Sequence, residues 1–179
     1  MTVSVTTRPL KISQTARLAA MLDDIADAAR MEASTRYHAV ADALALHLGH
    51  PDLLAGRDCP CNPDRYCRHL LHNDPDGGYA VVAIVWTPGQ MSPVHGHRTW
   101  CALGVHRGWL AETYFARGDG RPTPTGCTAR GPGTTSSTAA DLDAIHRLAN
   151  LGTTEAVSIH VYGVAFDLFG EGVNEVYAA

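Results

Sequence analysis

Two histidines one residue apart are the first feature of the sequence that indicates chemistry. His95 and His97 follow a Pro88-Gly89 turn in a segment of strand-like composition. Because residues i and i+2 of a strand point to the same side, both imidazoles can face one cavity. A third histidine, His146, lies far along the chain, and in a barrel its segment can run beside the first. Three neutral imidazoles suit iron, copper, nickel or zinc, and the ligand types alone do not choose among these metals.

The main alternative for a His-x-His pair is two surface histidines on a loop. The segment Ser158-Ile-His160-Val-Tyr162 favours an interior site instead. Its three polar side chains share one face of a strand, and apolar residues occupy the other face. A polar triplet that points into a barrel is expected to serve a site there.

The order of elements along the chain is helical first and strand-rich afterwards. Apolar residues at helical spacing predict one helix over residues 13–30, with Ser13 as its N-cap, and a second from about Ser34 to His47. Runs rich in β-branched residues predict strands over residues 79–86, 100–105, 109–115 and 157–161, after a short element at 66–71.

This order predicts a mainly β fold, a double-sheet barrel of the jelly-roll kind with N-terminal helices. We expect a single domain over residues 1–179. In it, residues 1–50 form a helical part packed on the barrel, and residues 66–179 form the barrel with the metal site. The Gly-, Thr- and Ser-rich stretch 126–138 is expected to be a surface loop or an irregular strand pair.

Composition limits the classes of partner. The 14 basic and 18 acidic side chains give a net charge of -4 without a run of either sign, so neither nucleic acid nor an acidic membrane is expected as a partner. The N-terminus lacks the pattern of a secretory signal, and no run of about 18 apolar residues occurs, which predicts a cytoplasmic protein. The five cysteines are an odd number, so free thiols, or cysteines with a chemical role, are expected in place of a disulfide framework.

Several separated blocks of the sequence together resemble the thiol dioxygenase family of the cupin superfamily, whose best-known member is cysteine dioxygenase. The blocks are Pro93-Val-His95-Gly-His97, Gly108-x-Leu110-x-Glu112-Thr-x-Phe115, Ile145-His146-Arg147 with Asn150, Ser158-x-His160-x-Tyr162, and the upstream Tyr66-x-Arg68. The resemblance implies a cupin barrel and addition of both atoms of O2 to the sulfur of a small thiol. It also implies one Fe(II) per chain, with three histidine ligands: His95, His97 and His146.

Roles for the remaining matched residues follow from the same resemblance. It implies that Tyr162, ordered by His160 and Ser158, donates a hydrogen bond to the reacting oxygen. Arg68, with Tyr66 beside it, corresponds to the arginine that binds the substrate carboxylate.

The resemblance also bears on Cys101 and on the substrate. Cys101 corresponds to a cysteine that mammalian members bond covalently to the tyrosine. Many bacterial relatives have glycine at this position. The resemblance therefore allows a crosslink of Cys101 with Tyr162 and leaves its formation open. L-Cysteine, oxidised to cysteine sulfinic acid in sulfur amino acid metabolism, is the expected substrate, because Arg68 stands where relatives that oxidise 3-mercaptopropionate tend to have glutamine. 3-Mercaptopropionate or a related mercapto acid is the alternative. More remote alternatives are another metal-dependent cupin enzyme and a cupin that binds a small molecule.

Other histidines and cysteines have simpler interpretations. One group of cysteines and histidines could form a zinc site or consist of free thiols on a loop. The group comprises Cys59, Cys61, Cys67, His69 and His72. The spacing is not a usual paired Cys-x2-Cys pattern, so loop thiols are expected. His38, His47 and His50 are expected to face solvent or to cap a helix. His106 lies at the end of a predicted strand and is expected at the surface.

Overall fold

The structure, a computed structural model, describes residues 14–178, and this part of the chain begins with two helices, α1 (Ala16–Ala29) and α2 (Arg36–Ala45). The hydroxyl of Thr15 accepts a hydrogen bond from the Leu18 amide at 3.0 Å, so Thr15 caps α1. The predicted N-cap, Ser13, lies outside the described residues. Each helix buries one apolar face, as the spacing of its apolar residues predicts. None of the helices in residues 14–178 has the length and apolar character needed to cross a membrane.

Strands make up most of the remaining chain. Among residues 14–178 they are β1 (Cys67–Asn73), β2 (Ala80–Trp86), β3 (Val94–His97), β4 (Cys101–Arg107), β5 (Leu110–Ala116), β6 (Thr123–Arg130), β7 (Thr135–Thr138), β8 (Asp141–Ala149), β9 (Ala156–Tyr162) and β10 (Asn174–Tyr177). A 3₁₀ turn (Phe166–Leu168) and a short helix, α3 (Phe169–Gly172), connect β9 to β10.

The strands form two five-stranded sheets with only antiparallel neighbours in the described chain. Sheet A has the order β1-β2-β9-β4-β7, and sheet B has the order β10-β3-β8-β5-β6. The two sheets enclose an apolar interior that both of them line. The predicted mainly β, double-sheet barrel with N-terminal helices is confirmed.

The central strands of sheet A are buried on both faces. On β2, Val82, Ile84 and Trp86 pack in the barrel interior, whereas Val81 and Ala83 pack under α1 and α2. This arrangement explains why β2 is apolar at every position instead of alternating with polar residues. On β9 the outer positions are likewise apolar, and the inner positions carry the polar triplet.

The stretch 126–138 connects the two sheets. β6 pairs with β5 in sheet B, whereas β7 pairs with β4 in sheet A, so these two strands are not partners of one another. Gly133 has a φ of +84°, and a Cβ on Gly131 would lie 2.7 Å from the ring of Trp109. The expectation of a loop or an irregular strand pair is corrected here, because the glycines let two regular strands join different sheets.

Two histidines that were expected to face solvent or cap a helix are buried instead. His47, just after α2, is 7% exposed, and its Nε2 lies 2.7 Å from the carboxylate of Asp24. His106 on β4 is 8% exposed, and its Nδ1 accepts a hydrogen bond from the Gly49 amide at 3.3 Å. Both residues therefore connect α2 and its following turn to neighbouring elements.

Candidate metal centre

Three histidine side chains meet in the interior of the barrel. The antiparallel pairing of β3 with β8 sets His95 directly opposite His146. The Nε2 atom of His146 lies 2.9 Å from Nε2 of His97 and 3.2 Å from Nε2 of His95. All three residues are buried, and among the side chains that the structure describes no other group of three or more His, Cys, Asp or Glu is close enough to hold a metal.

The donor atoms and their spacing fit a metal ion. Two imidazole nitrogens that bind one ion at about 2.1 Å, with an angle of about 90–110° between them, are about 3.0–3.4 Å apart. The observed separations of 2.9 Å and 3.2 Å lie close to this range. Burial, with the adjacent charge of His146, lowers the pKa of His95 to about 4, and the same causes lower the pKa of His97 to about 2. Both rings are therefore neutral near pH 7, which is the form that binds a metal.

Hydrogen bonds on the far side of two rings orient these candidate ligands. Nδ1 of His95 donates to the carbonyl oxygen of Pro93 at 2.9 Å, and Nδ1 of His146 donates to Oε1 of Glu112 at 2.8 Å. A carbonyl and a carboxylate can only accept, so each ring carries a proton on Nδ1. Nε2 is then left free to bind the metal.

Glu112 is the centre of a buried polar network. Its carboxylate is 1% exposed, and besides the His146 ring it accepts hydrogen bonds from Nε of Arg130 at 2.7 Å, from the Tyr114 hydroxyl at 2.9 Å and from the Ser136 hydroxyl at 3.1 Å. Burial raises the pKa of Glu112, but the hydrogen bond and charge of His146 and the charge of Arg130 outweigh burial and lower the pKa to about 2. Glu112 is therefore a carboxylate at neutral pH, fixed by four donors.

His97 has a different environment from the other two ligands. Its Nδ1 atom is buried and has no hydrogen-bond partner among the described residues, and the same is true of Oδ1 of Asn174. The two residues are direct partners in the pairing of β10 with β3. The two atoms are thus a complementary donor and acceptor on neighbouring strands.

The inner face of β9 carries a continuous hydrogen-bond chain. The indole Nε1 of Trp86 donates to the Ser158 hydroxyl at 2.9 Å, which lies 2.8 Å from Nε2 of His160. Nδ1 of His160 lies 3.1 Å from the Tyr162 hydroxyl. Burial, followed by the charge of Arg68, lowers the pKa of His160 to about 3, so the ring is neutral. The indole can only donate, so the Ser158 hydroxyl accepts from it and donates its own proton to Nε2 of His160. The ring proton of neutral His160 is then on Nδ1, which donates to the Tyr162 hydroxyl.

Tyr162 and Cys101 are neighbours on adjacent strands. The pairing of β4 with β9 sets the two residues directly opposite one another, and both side chains belong to the interior apolar cluster. Burial raises the pKa of the Tyr162 hydroxyl, and burial with the charge of Glu112 raises the pKa of the Cys101 thiol. Both groups are therefore protonated at neutral pH.

Arg68 and Tyr66 line a small cavity beside the histidines. The cavity has a volume of about 10 Å³, room for about one water molecule, and it also reaches Trp86 and Tyr162. Nη2 of Arg68 lies 3.4 Å from the Tyr66 hydroxyl, and the Tyr66 ring stacks on Trp86 with centroids 4.6 Å apart. None of the carboxylates whose side chains the structure describes forms a salt bridge with Arg68, which leaves its guanidinium open to an anionic ligand on that side.

The zinc alternative for the cysteine-rich loop has no support in the described residues. Cys59, Cys61 and Cys67 are free thiols and do not form a metal-binding cluster with the nearby histidines. Nε2 of His69 instead bonds the carbonyl oxygen of Pro60 at 2.9 Å. Cys59 and Cys61 lie in the loop before β1, as expected, whereas Cys67 is the first residue of that strand.

Some residues of the site had no role in the sequence analysis. Trp86 was visible only as the end of an apolar run, and Glu112 only as part of a matched block. Arg130 lies in the stretch that was expected to be irregular, and Asn174 lies beyond the matched blocks. Each of these roles depends on a strand register that a single sequence does not contain.

Solved structures of several proteins resemble this fold. TT1209 from Thermus thermophilus has 17% identity and a TM-score of 0.50, and the match covers 65% of this chain and 98% of that one. An uncharacterized conserved protein with a double-stranded beta-helix domain from Klebsiella pneumoniae has 18% identity and a TM-score of 0.45, with 68% and 90% of the two chains covered. At this level of identity the likeness concerns the fold alone.

A double-stranded β-helix barrel with three inward histidines defines the protein as a cupin with a candidate metal centre. The sequence profile described as "Cysteine dioxygenase type I" matches residues 6–169, which is most of the chain. The chain therefore belongs to the cysteine dioxygenase type I family. This agrees with the resemblance found in the separated sequence blocks.

Proposed function

We propose that the protein is an Fe(II)-dependent thiol dioxygenase that converts L-cysteine to cysteine sulfinic acid by adding both atoms of O2 to sulfur. The observation that carries the proposal is that three histidines with convergent Nε2 atoms line one cavity together with Arg68 and Tyr162. Membership of the cysteine dioxygenase type I family supports the same class of reaction.

His95, His97 and His146 would hold one iron ion per chain. When bound, the ion supplies the redox chemistry of O2 and a positive charge that favours the thiolate form of the substrate. The hydrogen bonds from His95 to Pro93 and from His146 to Glu112 keep the Nε2 atoms of these rings directed at the metal position.

In this proposal Arg68 binds the substrate carboxylate. Its planar guanidinium can donate two parallel hydrogen bonds to a carboxylate, which fixes the direction of the substrate as well as its charge. Tyr66 supports this position, because its hydroxyl lies 3.4 Å from Nη2 of Arg68 and its ring is held by Trp86. The thiol end of the substrate would then point toward the histidines.

Tyr162 is the proposed hydrogen-bond donor to the reacting oxygen. Its raised pKa keeps the hydroxyl protonated at neutral pH. Nδ1–H of His160 satisfies an acceptor position of the hydroxyl, which frees the Tyr162 proton to point into the cavity. Ser158 and Trp86 act through His160 and are positioning residues.

A thioether between Cys101 and Tyr162 is part of the proposal. The two residues are cross-strand partners in a buried cluster, so the bond requires no change of fold. Its formation removes one hydrogen from the thiol and one from the phenol ring, with O2 as the electron acceptor. The crosslink would restrict rotation of the Tyr162 ring.

We also propose that the chain acts as a single domain in the cytoplasm. α1 and α2 share one apolar core with the outer face of sheet A, which supports one folding unit. All five cysteines are free thiols, as is usual for proteins of a reducing compartment.

The test is O2 uptake by the Fe(II)-loaded protein with a panel of thiols, followed by mass analysis of the products. L-Cysteine, 3-mercaptopropionate and cysteamine form a matched panel, because they carry both charged groups, the carboxylate alone and the amine alone. Uptake with cysteine and a gain of two oxygen atoms is the expected result. Efficient oxidation of 3-mercaptopropionate instead would contradict cysteine as the substrate and retain the class. Metal binding without O2 uptake for any thiol would contradict the class and favour a binding cupin or another metal-dependent cupin enzyme.

A further inference from the structure

Two cavities meet at His97 and His146. The small cavity that contains Arg68 has a volume of about 10 Å³, and a second cavity of about 320 Å³ lies between strands β4 and β7 of sheet A and β5 and β8 of sheet B. His97, His146 and Leu103 line both cavities. The proposed function uses the small cavity and gives the large one no role.

The large cavity extends from solvent to the ligands. Near its opening, Asp143 is exposed and Thr138 and Ala144 are partly exposed. At its inner end, Cys101 is buried beside the histidines. A small molecule can therefore reach the histidine cluster from this side without passing Arg68.

The charges of the two routes differ. The described residues that line the large cavity include the carboxylates of Glu112 and Asp143 and no lysine or arginine. By contrast, Arg68 lines the small cavity, and an open surface pocket of about 490 Å³ next to it contains both Arg65 and Arg68. A thiol with a carboxylate is attracted to these arginines and finds no cationic side chain among the lining residues of the large cavity. The two carboxylates of the large cavity are held in salt bridges, Glu112 with Arg130 and Asp143 with Arg117.

The inner part of the large cavity suits a small neutral molecule. Leu103 and Ile145, both buried, give it apolar walls. The thiol of Cys101 adds no charge, since burial raises its pKa. Apolar solutes leave water for such spaces, whereas ions do not.

We propose that the large cavity is the route by which O2 reaches the three-histidine centre, separate from the arginine-lined entrance of the thiol. This inference rests on the proposed function. Leu103 lies between the two routes, because it lines both cavities together with His97 and His146. A thiol that Arg68 holds from the open pocket beside it then approaches the histidines from the arginine side and leaves the path of O2 open.

The test fills the large cavity with one side chain. Ala144 lies two residues before His146 on β8, so its Cβ points to the same side as that ligand. Ala144→Trp should raise the half-saturating concentration of O2 by about tenfold and leave that of the thiol nearly unchanged. Ala129→Trp is the matched control, because Ala129 is exposed on β6 and lines neither cavity. Thr138→Trp, at the partly exposed opening, serves as a second variant if Ala144→Trp does not fold.

A second readout uses metal-free protein and xenon, an apolar gas that enters cavities of this size. The methyl NMR signals of Leu103 should shift under xenon pressure in the unmodified protein and in Ala129→Trp, but not in Ala144→Trp. The small cavity has too little space for xenon, so the shift reports the large one. Iron content must be equal in all variants.

Three outcomes overturn the inference in different ways. If Ala144→Trp abolishes the xenon shift and the half-saturating O2 concentration does not change, O2 uses another route. If the half-saturating thiol concentration rises instead, the cavity is the thiol entrance. If the unmodified iron-loaded protein consumes no O2 with any thiol, the proposed function fails and the O2 route fails with it, whatever the xenon signals show.

Discussion

The substitution Glu112→Gln tests most directly how the protein orients the histidines of the candidate metal centre. The substitution keeps the size of the side chain, removes its charge and replaces one carboxylate oxygen with an amide donor. Oε1 faces His146 and Ser136, and Oε2 faces Arg130 and Tyr114. The amide nitrogen must therefore face at least one group that now donates. An amide nitrogen that faces Nδ1 of His146 favours the His146 tautomer with its proton on Nε2. This tautomer cannot bind a metal through Nε2.

The expected magnitudes follow from these contacts. A hydrogen bond to a charged group contributes about 1.5–3 kcal/mol, and glutamine keeps part of the network, so the metal-free protein should lose about 1–3 kcal/mol of unfolding free energy. For a chain of this size that loss lowers Tm by roughly 2–12 °C. Removal of a partner behind a metal-binding histidine lowers metal affinity by about 10–100-fold. This equals about 1.4–2.7 kcal/mol.

The assay separates stability from metal binding. Calorimetry of the metal-free protein gives Tm, and competition with a chelator gives the Fe(II) affinity. Glu155→Gln is the control, because the Glu155 carboxylate lies 2.5 Å from Arg107 in a salt bridge remote from the histidines, and a pair at the surface contributes about 0–1 kcal/mol. A Glu112→Gln protein with lowered Tm and unchanged Fe(II) affinity would show that Glu112 supports the barrel and does not orient His146. Unchanged values of both would contradict the network itself.

Three further substitutions or measurements test the rest of the site. Tyr162→Phe should lower turnover by about 10²–10⁴-fold with iron content and thiol half-saturation nearly unchanged; an equal loss in Cys101→Ala would assign the effect to the crosslink. Arg68→Lys should raise the half-saturating cysteine concentration by an amount equal to about 1–3 kcal/mol with iron retained, because lysine lacks the guanidinium fork. Arg65→Lys is its matched control. An equal effect of the two substitutions would show that Arg68 attracts the substrate carboxylate by its charge alone and does not bind it through two parallel hydrogen bonds. In native metal-free protein a thiol reagent should leave Cys101 unmodified, since the residue is 2% exposed and its pKa is raised. After turnover, a crosslinked protein should lack this thiol on unfolding and be lighter by two hydrogen atoms; a thiol that reacts in the native state would contradict its burial.

Much of the barrel and the ligand positions could be predicted from the sequence, because they depend on local alternation. A strand with His95 and His97 two apart brings both rings to one side. The same rule gathers Ser158, His160 and Tyr162 on the inner face of β9, where the structure places them in one hydrogen-bond chain. These predictions need only the period of a strand.

Contacts between strands could not be predicted, because register is a property of the whole fold. Ser158 is opposite Ile84, so the indole of Trp86, two residues further along β2, reaches its hydroxyl from a diagonal position. His146 is opposite Tyr114, and Glu112 reaches its ring from the diagonal position on β5 in the same way. The burial of His106 was missed for a related reason, since the turn after α2 covers the outer face of β4.

The two buried faces of β2 and β9 make the N-terminal helices indispensable to the barrel. The outer residues that pack under α1 and α2 are Val81, Ala83, Ala102, Ile159 and Val161. A chain shortened to the strands alone would display them as one contiguous apolar surface, of the kind that drives association. On its inner face β9 carries the hydrogen-bond chain of Ser158, His160 and Tyr162, so a shift of the strand under a loosened helix also displaces the Tyr162 hydroxyl. Aggregation and inactivation of such a shortened chain would therefore have one origin, and the barrel cannot be trimmed to a smaller catalyst.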